Sequence, residues 1–303
     1  MRYGAHGRSL DSSYGVISGS THVYGVVGYP ISHSLSPAIQ NAAFRSIGLN
    51  AVYVAFPVKE GWLRPAIQGL KSLKVKGLNV TTPHKMLIVR YLDEVETEAA
   101  EIGAINTVKN DDDTLIGFNT DGIGALDAIK DARESVDGQN VLLFGAGGAA
   151  RAIAYALARH RCSLALANRT VSSARRLQRQ LHSSFGVKVQ QVPLSKQAIH
   201  DYVKKTNIIL NASSLGMSAK SAVPIDRRWI RANHLVFDIV YRPVETKLLH
   251  DAASVGARTI NGLDMLLHQA VRSFTIWTGM KAPIHQMRRA IPEKLIAQNA
   301  TNR

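Results

Sequence analysis

A single cysteine, Cys162, stands in a chain of 303 residues. No intramolecular disulfide can form, so nothing calls for an oxidising compartment, and a cytoplasmic setting is expected. Acidic residues are scarce too: 22 Asp and Glu face 37 Lys and Arg, a formal charge of +15. Such a surplus either attracts anionic small molecules or is simply a solvated basic surface. Nucleic acid is not expected as a partner. The basic residues are scattered, with one dense stretch at Arg175, Arg176 and Arg179, and there is neither zinc-finger spacing nor an RNA-recognition motif. No metal site is expected. Long unbroken apolar runs are missing as well. VLLFGAGGAARAIAYALA, residues 141–158, comes nearest, but a glycine turn breaks it and Arg151 sits in its middle. It reads as strand, turn and helix, not as a membrane span. Residues 1–20 are rich in Gly and Ser, show no secretory signal, and read as a flexible extension outside the fold.

What remains is an ordinary globular composition, 46% hydrophobic and 19% charged, long enough for two domains. After Val23, short β-rich runs alternate with helical periods. VYGVVG, AVYVAF and residues 77–81 read as strands. SPAIQNAAFRSIG reads as a helix in which Ser36 can cap and Pro37 suits the first position. A further helix is expected around residues 60–73, and Pro83 is expected to open another. INTV and TLIGF are strand-like, and a long helix begins near DGIGALDAIKDA. From Gln139 onward the βα alternation is regular as far as RTIN, which argues for a parallel sheet covered by helices. The tail, GLDMLLHQAVRSFTIWTG and PIHQMRRAI, is helical.

Gly145, Gly147 and Ala150 form G-x-G-x-x-A directly after the strand NVLLF. The first glycine permits a tight turn, the second lets the backbone approach a pyrophosphate, and the small sixth residue lets helix pack on strand. The following helix aims its free N–H groups at the phosphates. A dinucleotide is expected here. About twenty residues on, an NAD site would offer an acid to the ribose 2′-hydroxyl. This chain has Asn168 and Arg169 instead. A guanidinium fork suits a 2′-phosphate, so NADP is favoured over NAD.

Four small polar clusters precede the glycine loop: SHSLSP (32–37), NVTTPHK (79–85), GAINT (103–107) and GFNTDG (117–122). Together they offer hydroxyls, amides, a lysine and a carboxylate, a set suited to a polyhydroxylated anion. Each has a plainer reading. Ser36 and Asp121 can serve as helix caps, and Asn79 and Asn106 can satisfy backbone groups. Lys85 would lie at the positive end of the helix opened by Pro83, which repels a cation by roughly 0.3–1 kcal/mol when exposed. It is either surface charge or a group whose proton is meant to move, its ammonium form being penalised there.

These motifs in this order resemble the shikimate dehydrogenase family, from about Val23 to Ile291. HSLSP, NVTTPHK, GAINT and NTDG are followed by GAGGAAR, NRT, NASSLGM, FDIVYRP, GLDMLLHQA and FTIWTG. The resemblance implies an α/β fold of two domains: a substrate domain of residues 21–121 plus 263–303, and a Rossmann-type NADP domain of 122–262. It implies reversible NADPH-dependent reduction of 3-dehydroshikimate to shikimate, in aromatic amino-acid biosynthesis, by a monomer or homodimer. Lys85 and Asp121 would be the catalytic pair. Ser34 and Ser36, with Tyr241, would hold the substrate carboxylate; Thr81, Asn106, Asp121 and Gln269 would meet the rest of the substrate. Gly145, Ala146, Gly147, Gly148 and Ala149 would cradle the pyrophosphate. Asn168, Arg169 and Thr170 would surround the adenine ribose phosphate, and Ile239 and Gly262 would lie near the nicotinamide. Many NADP-using members carry a second arginine where this chain has Ser173, a place Arg175 or Arg176 would have to fill. Quinate or aminoshikimate dehydrogenases share the catalytic pair, and quinate users often carry an acid near the adenine ribose. A methylenetetrahydrofolate dehydrogenase and a catalytically silent NADP-binding regulator are more distant alternatives.

Overall fold

The structure, a computed structural model, describes residues 17–218 and 223–292. Residues 1–16 of the expected extension and 293–303 of the expected substrate domain lie outside the described residues. Residues 17–20 enter a turn in which the Thr21 N–H donates to the Ser18 carbonyl.

The first of two six-stranded sheets contains β1 (His22–Gly28), β2 (Ala51–Pro57), β3 (Gly77–Val80), β4 (Glu94–Val95), β5 (Thr107–Asp111) and β6 (Thr114–Phe118), ordered β2-β1-β3-β5-β6-β4. β1 runs parallel to β2 and β3, while β5 runs antiparallel to β3 and β6. The β5–β6 hairpin turns through Asp112 and Asp113, both at positive φ, as a two-residue hairpin loop demands. Helices α1 (Ser36–Ser46), α2 (Leu63–Ser72) and α3 (Thr97–Ile102) belong to this half.

Next, α4 (Asp121–Asp131) leads into the second sheet: β7 (Asn140–Phe144), β8 (Ser163–Ala167), β9 (Val189–Gln191), β10 (Ile208–Asn211), β11 (Leu235–Asp238) and β12 (Arg258–Ile260). Its order is β12-β11-β10-β7-β8-β9 and every neighbouring pair is parallel. The connecting helices are α5 (Gly148–Arg159), α6 (Val171–Phe185), α7 (Lys196–Val203) and α8 (Lys247–Ala253). Along β7, Val141 and Leu143 enter one apolar cluster and Leu142 and Phe144 another, so both faces of the sheet are covered. The strand order reverses between β7 and β10, where a crevice opens at the carboxyl ends of the strands.

The chain then returns to the first half as α9 (Gly262–Thr278) and α10 (Ile284–Arg289). Phe274 and Trp277 of α9 join Tyr24 and Phe44 in one core, and Trp277 Nε1 donates to the Val108 carbonyl at 2.9 Å. α4 is wedged between the halves. A methyl group on Gly122 would stand 2.6 Å from the Ala152 carbonyl oxygen of α5, and one on Gly124 would stand 2.8 Å from the Gln269 nitrogen of α9. The two glycines set how closely α4, with Asp121 at its start, approaches both partners.

Two local expectations are corrected, and one helix was missed. No α-helix opens at Pro83: residues 81–87 fold as turns closed by His84 N–H to Thr81 O and Leu87 N–H to His84 O, followed by a short 3₁₀ turn at Ile88–Tyr91. The wholly buried His84 ring pins this segment, its Nε2 donating to the Val58 carbonyl at 2.6 Å. Ser36 is the first helical residue of α1, not its cap; Leu35 takes that position. α3 was not anticipated, although Glu96 caps it through the Ala99 N–H and Gly103 ends it in the left-handed region.

Candidate active site

One cavity of about 560 Å³ opens between the two sheets. Lys85 and Asp121 meet on its wall. The Lys85 ammonium donates to Asp121 Oδ2 at 2.5 Å, with the side chains 17% and 4% exposed. The turn 81–87 delivers the lysine and the start of α4 delivers the acid. With no helix at Pro83, the dipole argument for Lys85 falls; the helix end its stem lies against is that of α5. A methyl on Gly148 would come within 2.8 Å of Lys85 Cβ.

Asp121 is oriented from its other side. Asn106 Nδ2 donates to Asp121 Oδ1 at 2.9 Å and to Thr120 Oγ1 at 2.8 Å. Asn106 Oδ1 accepts from the Thr120 N–H at 2.8 Å. The carboxylate therefore does not cap α4, which removes the plainer reading of Asp121. Asn79, by contrast, is fully used inside the wall: its Nδ2 donates to Asn106 O and Ser273 Oγ while its Oδ1 accepts from the Tyr53 hydroxyl. Both asparagines satisfy neighbours, but only Asn106 touches the charged pair.

The opposite wall is backbone. Gly145, at φ +115°, turns the chain out of β7 where a side chain would strike the Ala212 carbonyl oxygen at 2.7 Å. A side chain on Gly147 would have nothing within 4 Å and would project into open space. The first N–H groups of α5 have no partner within the helix. This glycine-lined cradle, open and rich in donors, fits a pyrophosphate.

Other expected residues also gather here. Ser34, Ser36, Thr81, Asn106, Tyr241 and Gln269 line the cavity, as do Ala146, Gly147, Gly148, Ala149, Asn168, Ile239 and Gly262. Ser34 Oγ accepts the Ser36 backbone N–H at 3.2 Å, which ties the Ser34 side chain to the start of α1. Burial pushes the Tyr241 phenol up, and the neighbouring Arg242 partly offsets this. Arg169 and Thr170 are exposed and not part of the lining; Asn168 ties that loop by donating to the Thr170 carbonyl at 2.8 Å.

Two features were not anticipated. Arg242 brings a second cation to the lining. Behind the wall, Asp238 is wholly buried, meets no cation among the described residues, and accepts from Asn211 Nδ2 (2.8 Å), the Val240 N–H (3.0 Å) and Thr246 Oγ1 (2.7 Å). Burial, outweighing these bonds, raises its carboxyl to about 6. The sequence signal was an acid inside the apolar run LVFDIV. Its bonds draw together the loops after β10 and β11, and so set where Ile239 and Tyr241 face the cavity.

Comparison with known proteins agrees with this arrangement. Residues 26–108 match the shikimate dehydrogenase substrate-binding domain, 127–263 the shikimate/quinate 5-dehydrogenase model, and 262–291 the shikimate 5′-dehydrogenase C-terminal domain. The chain is 44% identical to shikimate dehydrogenase (NADP⁺) of Pyrococcus abyssi over 90% of its own length and 98% of that protein's. Among solved structures, a shikimate dehydrogenase in complex with NADP⁺ superposes with a TM-score of 0.86 at 41% identity, covering 92% of this chain and 98% of that one. The Listeria monocytogenes shikimate 5-dehydrogenase, in complex with shikimate and NAD, gives a TM-score of 0.85 at 33% identity, covering 92% and 99%. With its α/β halves, its glycine cradle and its lysine–aspartate pair in one cleft, the chain belongs to the shikimate dehydrogenase family.

Proposed function

We propose that this chain catalyses the reversible, NADPH-dependent reduction of 3-dehydroshikimate to shikimate, the step of aromatic amino-acid biosynthesis that its relatives perform. The observation that carries the reading is the 2.5 Å contact between Lys85 and Asp121 on the wall of the cavity that also exposes Gly147. When bound, NADPH supplies a hydride to the ketone carbon. Negative charge then grows on the ketone oxygen, and Lys85 donates a proton to it. Asp121 orients the amine, balances its charge and relays the proton, held for that purpose by Asn106. Ser34, Ser36 and Tyr241 donate to the substrate carboxylate. Thr81 and Gln269 meet its hydroxyls, assisted by Asn106, whose amide protons are already committed to Thr120 and Asp121.

On the cofactor side, the turn Gly145–Ala149 receives the pyrophosphate, Ile239 and Gly262 flank the nicotinamide, and Asn168, Arg169 and Thr170 receive the ribose phosphate. The absence of an acid in the stretch ANRT favours NADP and weighs against a quinate enzyme. In this reading residues 21–121 and 263–303 form the substrate domain and 122–262 the NADP domain. The enzyme works in the cytoplasm as a monomer or homodimer, without nucleic acid. Among the described residues no helix is long and apolar enough to cross a membrane.

Nicotinamide absorbance tests the proposal. Shikimate, quinate and methylenetetrahydrofolate are each supplied with NADP and with NAD. Turnover should be fastest with shikimate and NADP. A clear preference for quinate, or binding of NADP with no turnover of any of the three, overturns it.

A further inference from the structure

Arg151 carries a buried charge that the reaction above does not use. It stands in the first turn of α5, 3% exposed. Among the described residues no carboxylate meets it. Its Nε donates to the Ile102 carbonyl at 2.8 Å and its Nη2 donates to Gln180 Oε1 of α6. A buried guanidinium without a counter-charge is unfavourable unless its N–H groups find strong acceptors. Ile102 offers one, because the last carbonyls of a helix have no partner within it. α3 ends there, and Gly103 turns away in the left-handed region. A methyl on Gly103 would come within 3.2 Å of Arg151 Nη2, so the guanidinium rests directly on this glycine.

From Gly103 the chain needs only three more residues to reach the reacting groups. The Ile105 N–H donates to the Lys85 carbonyl at 2.7 Å, and Asn106 Nδ2 donates to Asp121 Oδ1 at 2.9 Å. Residues 103–106 therefore hold the main chain of the lysine and the side chain of the acid. Arg151 fixes the near end of this segment, and it does so from the helix whose N-terminus forms the glycine cradle. The same helix lies against Lys85 directly at Gly148, where a methyl would come within 2.8 Å of the lysine Cβ.

We propose that Arg151 is a positioning residue: by holding the Ile102 carbonyl from the first turn of α5, it fixes the Lys85–Asp121 pair relative to the cofactor cradle. This rests on the assignment of Lys85 and Asp121 given above. Arginine suits the task because its planar fork bonds Ile102 and Gln180 together, whereas a lysine would reach one acceptor.

The test uses the full-length enzyme with shikimate and NADP. Arg151→Met, Arg151→Lys and Gln180→Leu are compared with the parent in kcat, both KM values, the pH dependence of kcat and melting temperature. Lys85→Met is run in parallel. A displacement of about 1 Å in such a pair can cost about 10²-fold in rate. Arg151→Met should therefore lower kcat at least tenfold at saturation and displace its pH profile, with each KM within threefold. Arg151→Lys should recover part of kcat through the single bond to Ile102. If Arg151→Met does not fold, Gln180→Leu carries the test: it leaves one guanidinium N–H group unpaired, so the melting temperature should fall modestly while the folded enzyme shows kcat lowered two- to fivefold and a displaced pH profile. Parent-like kcat and pH profile in the folded variant overturn the proposal, as does a loss that Arg151→Lys leaves wholly unrepaired. An active Lys85→Met would instead overturn the catalytic assignment, whatever Arg151 does.

Discussion

The two walls of the cleft recognise by different means. The cofactor wall is main chain: glycines, a helix start and open space. The substrate wall is side chain: Ser34, Ser36, Lys85, Asn106 and Asp121, several of them bonded to one another before any ligand arrives. Main-chain donors stay where the fold puts them, so that wall is preorganised by topology and is sensitive mainly to added bulk. A side-chain wall is preorganised by its own hydrogen bonds, so it is sensitive to deletion. The contrast predicts which kind of substitution damages each side.

The deepest loss should come from deletion on the polar wall. Lys85→Ala is expected to lower kcat by about 10²–10⁴-fold with little change in NADPH affinity. Turnover close to the parent would remove Lys85 from the chemistry. The matching injury on the other wall adds atoms. Gly148→Val puts a side chain where Lys85 Cβ already stands 2.8 Å from a methyl position. Both kcat and the KM for NADP should then worsen, by about 10–10²-fold in kcat/KM. An unaffected enzyme would mean that the two walls are not in contact there.

Ser34→Ala combined with Ser36→Ala should chiefly raise the KM for shikimate, by about 10–10²-fold, the worth of hydrogen bonds to a charged group. If KM stays put, the carboxylate binds elsewhere. Arg169 sharpens the comparison because it is the charged side chain expected of the cofactor side, yet it is exposed and outside the lining. Arg169→Ala should reduce the preference for NADP over NAD by about tenfold, the loss of one charge-assisted contact. An unchanged ratio would move that role to Arg175 or Arg176.

The last effect is on stability rather than turnover and concerns Asp238, which supports the cofactor wall from behind. Its carboxyl is raised from the ordinary 3.8 to about 6 by burial. Between those values the folded chain binds more protons than the unfolded chain. The stability this group contributes is therefore full below about pH 4, falls as pH rises to about 6, and is flat above. The change amounts to at most ~3 kcal/mol. Urea unfolding at pH 4 to 7 should show Asp238→Asn with a shallower decline than the parent across this window. Parallel curves would show that Asp238 titrates normally.

Legibility followed the same divide. The regular βα alternation and the glycine turn after β7 were readable because strand period and turn chemistry are local properties. Ser34, Ser36, Lys85, Asn106 and Asp121 were readable as motifs, and the structure brings all five to one cavity. The helix expected at Pro83 failed because a distant group won: the buried His84 ring bonds the Val58 carbonyl, 26 residues away, and holds the segment as turns. Arg151 was readable as the residue that disqualified a membrane span and as the end of the motif GAGGAAR, but not as a buried charge. Its partner Ile102 lies 49 residues earlier, and no local pattern links them.

The amino-acid sequence alone determined the α/β class, the glycine turn after β7 and the identity of the polar groups, because each rests on residues within a few positions of one another. The tertiary structure decided that Lys85 lies on a turn beside the start of α5, that Asn106 presents the Asp121 carboxylate, and that Asp238 and Arg151 are buried with no opposite charge against them among the described residues. Those outcomes depend on burial and on contacts between distant segments, which exist only once both sheets have closed around α4.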